Sequence, residues 1–146
     1  MSKVRGLNLP LLLRITQRLL TELFPDCSHE LGVYYVSGKK ITKMNEKFLG
    51  HAGSTDVITF DYSDGKLLHG EIFICVEEAV TQAKEFGTTP QMEIVRYLVH
   101  GLLHLRGYDD RKPAKHKKMK AAEDKWVRWL AAKFPCDKVW SRKRAA

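Results

Sequence analysis

One stretch constrains this chain more than any other: a helix that opens at Pro90, runs to about Leu105 and is stopped by Gly107. Proline suits the first turn of a helix, and glycine past the last turn lets the chain reverse at positive φ. Within it Val95, Leu98, Val99, Leu102 and Leu103 recur at about 100° per residue and form a stripe that must be buried. A helix this apolar needs a sheet or other helices to cover it.

The rest of the chain supplies both. A first helix is expected from near Pro10, capped by Asn8, with Leu11, Leu12, Ile15, Leu19 and Leu20 at helical spacing up to Phe24 and the breaker Pro25. Short β-branched and aromatic runs predict strands at residues 32–37, 55–62 and 71–76, the last apolar enough to be central. Helices are expected at 39–48, ended by Gly50, at 77–86, ended by Gly87, and at about 114–134. Helices and strands intermix, so the expected fold class is α+β: a small mixed sheet of about four strands covered by about five helices.

At 146 residues the chain has the size of one domain, and 44% hydrophobic residues suffice for a core. The expected organisation is a single domain over 1–146, with a basic C-terminal tail from about 135. No apolar run is long enough to span a bilayer, and the N-terminus lacks the pattern of a secretory signal, so a cytoplasmic location is expected. Cys27, Cys75 and Cys136 are odd in number and form no CxxC pair, which argues against a disulfide framework or a cysteine zinc site. Cys75 reads as a buried strand residue.

The net charge is +8, and it is clustered. Arg111, Lys112, Lys115, Lys117, Lys118 and Lys120 form one group, and Arg142, Lys143 and Arg144 another. Such clusters attract phosphates by long-range attraction and counterion release, so a polyanion such as RNA is the expected partner. A solvated helix face plus a frayed tail is the plainer alternative.

The chemistry is concentrated in HGLLHLRGYDD, residues 100–110. His100 and His104 lie one helical turn apart on one face, about 6 Å apart at Cβ, so both imidazoles can reach one ion. Reversal at Gly107 would bring Asp110 back as a third ligand. Three protein ligands leave a fourth position for water, as in a catalytic zinc site. One zinc ion per chain is therefore expected, with other divalent metals as alternatives. Zinc peptidases of the HExxH type place glutamate after the first histidine; here Gly101 stands there, which disfavours a peptidase and would leave a bulky substrate room beside the metal. Asp109 is the candidate for orienting a water or a ligand histidine, or else a turn aspartate bonding its own backbone. Tyr108 reads as a packed turn residue, Asp56 as a cap at a strand start, and His51 as an exposed loop residue at the rim of a cleft.

These residues carry a resemblance. HGLLHLRGYDD resembles the H-G-x-L-H-L-x-G-Y-D-H signature of the YbeY family of bacterial rRNA-maturation endoribonucleases. Thr55–Phe60 resembles that family's T-D-V-L-S-F strand; Gly70, Glu71, Ile72 and Ile74 resemble its G-D-I-x-I strand, with Ala83 in the helix that follows. The likeness extends from about Gly32 to about Trp129. It implies a metal-dependent endoribonuclease that trims the 3′ end of 16S rRNA and serves ribosome quality control. It also implies contacts with the small ribosomal subunit, one of its proteins and an assembly GTPase. A non-enzymatic assembly factor with a structural metal, or a hydrolase of another substrate, remain the alternatives. The chain departs from the pattern twice: Asp110 replaces the third histidine, and Leu49 stands where the family has an arginine. Arg96, one turn before His100 on the same face, is the candidate to replace that arginine at the phosphate; its plainer role is a surface pair with Glu93.

Overall fold

A computed structural model describes residues 4–141. In chain order it contains α1 (Leu9–Leu23), β1 (Ser28–Val36), α2 (Gly38–Leu49), β2 (Val57–Asp61), β3 (Leu67–Cys75), α3 (Val76–Phe86), α4 (Pro90–Arg106) and α5 (Pro113–Lys133), then a short 3-10 turn at Cys136–Lys138. The helix starts follow from their caps. Asn8 Oδ1, Ser37 Oγ and Thr89 Oγ1 each accept the backbone N–H three residues on, at 3.2 Å, satisfying donors that the first turn leaves unpaired.

The sheet has three strands in the order β1-β3-β2, fewer than the four or so expected. β1 runs parallel to β3, with Ser28 opposite Leu67 and Val36 opposite Cys75; β2 runs antiparallel, with Val57 opposite Ile74. The three strands are the ones expected, with shifted bounds, one shift coming after the turn at residues 63–66. Asp64 and Leu67 exchange backbone hydrogen bonds there, and the chain then continues without a break into the expected strand. The strand expected at 71–76 thus begins at Leu67 and is nine residues long. β1 also begins earlier than expected, because polar Ser28, His29 and Glu30 show no strand pattern yet pair along the sheet edge.

The α4 stripe is buried as expected: Val95, Leu98, Val99, Leu102 and Leu103 all have zero exposure. They share one core with Leu11, Leu12, Ile15 and Leu19 of α1, Ile72 and Ile74 of β3, and Met119 and Leu130 of α5. Burial extends further round α4 than the pattern suggests, since Glu93 and Tyr97 are also covered. Gly101 explains the close fit. A Cβ there would lie 2.9 Å from Ile72 Cδ1 and Cγ2, so glycine lets α4 seat directly on β3. The expectation that Gly101 makes room for substrate beside a metal is therefore corrected: the missing side chain faces the sheet.

The segment expected to begin a basic tail is docked as far as Ser141. Val139 and Trp140 are buried; the Trp140 indole N–H donates to the Arg5 carbonyl at 2.8 Å, and Gln91 donates to the Trp140 carbonyl at 2.8 Å. Arg142, Lys143 and Arg144 lie outside the described residues. Cys75 and Cys136 are buried, Cys27 is half-buried, and all three are free thiols. No helix among the described residues is long and apolar enough to cross a membrane.

Candidate active site

The last two turns of α4 carry His100 and His104, with ring centroids 5.7 Å apart. The helix ends where Gly107 adopts φ 111°, a value that strains any residue with a Cβ. The Gly107 N–H donates to the His104 carbonyl at 3.1 Å and the Tyr108 N–H to the Leu103 carbonyl at 3.0 Å, which ties the reversal down. The reversed chain brings Asp110 Oδ2 to 3.7 Å from His100 Nε2. Two donors about 2.1 Å from a tetrahedral ion sit about 3.4 Å apart, so this pair is spaced to share one.

A second helix supplies what the 100–110 segment lacks. Glu123 of α5 lies 2.6 Å from His100 Nδ1; in the neutral ring this contact draws the proton to Nδ1 and leaves Nε2, directed at Asp110, as the free lone pair. Its other oxygen accepts from Arg96 Nη1 at 3.3 Å, and the same nitrogen donates to Asp124 Oδ1 at 2.9 Å. Arg96 is thus paired with α5, whereas Glu93 accepts from Thr88 at 3.0 Å. Burial, the largest single influence, pushes the His100 imidazole toward the neutral form; the Glu123 bond and the charges of Glu123, Asp110 and Asp56 together outweigh it, and the net shift is upward.

Arg96, His100, Asp110 and Glu123 line one cleft of about 570 Å³, together with Asp56 and His116. Asp56 is fixed by its own strand start: Oδ1 accepts from the Val57 N–H at 2.8 Å and from the Thr55 hydroxyl at 3.5 Å. His104 is exposed one turn along, and His51 is exposed on the loop before β2. Among the described residues no group of three or more His, Cys, Asp or Glu side chains is placed to hold a metal ion; His100 and Asp110 approach each other, and His104 does not join them.

Asp109 is turned elsewhere. Both its oxygens are held by the Arg111 guanidinium at 2.9–3.1 Å, and Oδ1 also accepts the Arg111 N–H at 2.9 Å. Those bonds keep its carboxyl well below the usual carboxylate range. It braces the loop that carries Asp110, and the contact that orients a histidine comes from Glu123 instead. Sequence reasoning missed Glu123, although a signal was present. It falls in the row Met119, Glu123, Val127, Leu130, an acid on the seam that α5 buries against α4.

Comparison with known proteins decides the family. The profile of the endoribonuclease YbeY family matches residues 9–131, most of the chain. The chain belongs to the YbeY family. A relative named endoribonuclease YbeY in Chlorobium phaeovibrioides is 37% identical over 98 residues, covering 67% of this chain and 66% of that protein. One in Bacteroides fragilis is 40% identical over 96 residues, covering 66% and 69%. The aligned segment thus spans about two thirds of these relatives. The solution structure of TM1509 from Thermotoga maritima superposes with a TM-score of 0.65 at 26% identity, covering 93% of this chain and 92% of that one. Leu49, expected to replace an arginine of the resembled family, is exposed at the end of α2.

Proposed function

We propose that this chain is a metal-dependent endoribonuclease of ribosomal RNA, acting at the 3′ end of 16S rRNA and in ribosome quality control. His100, His104 and Asp110 hold one divalent ion, zinc first. The observation that carries this reading is His100 itself: Nδ1 is committed to Glu123 at 2.6 Å while Nε2 faces Asp110 at 3.7 Å. A carboxylate behind a ligand imidazole is the usual support of a metal-bound histidine. Imidazoles and a carboxylate suit zinc and leave manganese or magnesium as alternatives.

When bound, the ion supplies Lewis acidity toward a phosphoryl oxygen and toward water. The chain's own groups do the rest. Glu123 fixes the tautomer and plane of His100, and exposed His104 turns its ring to complete the set. Asp109, clamped by Arg111, holds the loop on which Asp110 is mounted. Arg96, held in the same cleft by Glu123 and Asp124, presents a guanidinium to the negative charge that gathers on a phosphodiester during cleavage. Partners are RNA of the small ribosomal subunit, one of its proteins and an assembly GTPase, in the cytoplasm.

The test combines metal analysis of the purified protein with cleavage of a 16S 3′-end RNA, with and without chelator. Activity abolished by chelator and restored by zinc is the expected result, and His104→Ala should lose most of the metal with its fold intact. Stoichiometric metal with no turnover of any RNA would favour an assembly factor with a structural ion.

A further inference from the structure

The loop after α4 has two sides, and only one faces the cleft. Gly107, Tyr108 and Asp109 line a separate groove of about 610 Å³ between the end of α1, the loop and α5. Its cations are Arg106, Lys115, Lys118 and Lys125, and its aromatic walls are Tyr108 and Trp126. The two carboxylates in its lining are Glu22 and Asp109. Each already has a cation of its own: Glu22 lies 3.4 Å from Arg18, and Asp109 is gripped by Arg111, with Lys115 at 4.0 Å as a second, weaker partner. The groove therefore carries a net positive charge, with Arg106, Lys118 and Lys125 as its cations outside those pairs. The α5 face continues this character, with Lys125 over the Trp126 ring at 5.3 Å and Trp129, 5.2 Å from Trp126, flanked by Arg18 and Lys133.

Helix α5 joins the two sites. His116 and Lys120 point into the cleft, while Lys115 and Lys118 line the groove. Lys117 lines neither. A chain of phosphates lying across the start of α5 would meet the cleft and the groove in succession. Basic side chains tracking a backbone, with aromatic rings at the bases, are the features by which proteins hold single strands. We propose that this groove holds the single-stranded RNA that flanks the bond cut in the cleft, with phosphates on Lys115, Lys118 and Lys125 and a base against Tyr108 or Trp126. The proposal rests on the endoribonuclease reading.

Binding and cleavage separate the two ideas. Anisotropy with a fluorescent 20-nucleotide single strand reads the groove alone, in metal-free protein. Lys118→Gln with Lys125→Gln should weaken binding at least tenfold and lower the slope of log affinity against log salt by about 0.7 per lost contact. Both lysines are exposed, so the fold should hold, and Lys117→Gln serves as the neighbouring control with little effect. In cleavage, the double variant should raise KM for the long RNA and leave kcat, metal content and cleavage of a tetranucleotide unchanged. Parental affinity and salt slope in the double variant would overturn the groove. So would an acidic polypeptide bound more tightly than RNA. A parent that binds the long strand through these lysines but cuts nothing would keep the groove and sink the endoribonuclease reading.

Discussion

Replacing Glu123 by alanine tests how far the site depends on a residue outside its own motif. The side chain is 13% exposed and makes two bonds into the site, one to His100 and one to Arg96. Arg96 keeps Asp124 at 2.9 Å after the change, so the main loss falls on His100. A bond between charged groups contributes about 1.5–3 kcal/mol when shielded from water. Without metal, cleft water can replace the lost acceptor, and the fold should weaken by only about 1 kcal/mol. With metal, His100 no longer has a fixed tautomer, and affinity should fall about 10- to 100-fold, or about 1.4–2.7 kcal/mol. Glu123→Gln should fall between, because its single acceptor oxygen must serve His100 or Arg96. Chelator-competition titration with zinc, alongside melting with and without metal, reads each quantity separately. Asp124→Ala, which removes only the other partner of Arg96, should bind zinc like the parent. If Glu123→Ala bound zinc as tightly as the parent, the orienting role would be refuted, and the 2.6 Å contact would be packing alone.

Asp110→Ala should lose most metal affinity, while Asp110→His, which restores the family pattern, should keep or raise it; parental affinity in the alanine variant, read by the same titration, would remove Asp110 from the ligand set. Arg96→Ala should lower kcat for RNA ten- to a hundredfold, the worth of about 1.5–3 kcal/mol of charge-assisted bonding, with metal content and melting nearly unchanged. Loss of metal together with activity would show that Arg96 acts by holding Glu123, not by meeting the phosphate. Gly101→Ala sets an overpacking cost of about 1–3 kcal/mol against Ile72 beside a helix-propensity gain of about 1 kcal/mol, for a net loss of about 1 kcal/mol in urea unfolding; a more stable variant would show that Ile72 yields freely.

Much of the fold was legible because its signals are local. Asn8, Gly50, Gly87 and Gly107 bound their helices as read, and the stripe on α4 is the stripe that is buried. The ends of the strands were not legible, because Ser28–Glu30 and Leu67–His69 become strand only by pairing with each other across 39 positions of sequence. The site divides the same way. The approach of His100 to His104 and to Asp110 follows from spacing and one glycine, all within eleven residues. Arg96 was placed on the right face, but its partners are Glu123 and Asp124, on a helix whose docking no local pattern reveals. Asp109 was read either as orienting a water or a ligand histidine or as a turn aspartate bonding its own backbone, and the second holds: Oδ1 accepts the Arg111 N–H at 2.9 Å while the Arg111 guanidinium grips the carboxylate.

Helix α4 meets two demands that conflict, and the two residues least obvious in sequence reconcile them. It must be dry against β3 and α1, yet present imidazoles to solvent one residue away from that dry face. Gly101, between the histidines, draws the helix onto Ile72, which fixes the height at which His100 leaves the core. Burial alone would then favour a neutral ring free to turn about its own bond. Glu123 removes that freedom from the opposite side, and it stands there because Met119, Val127 and Leu130 seat α5 in the same core. The direction of His100 Nε2 thus rests first on the apolar core that seats α4 and α5 against each other, and on a hydrogen bond only at the last step. Substitutions in the α4–α5 seam should for that reason disturb metal affinity before they disturb the fold.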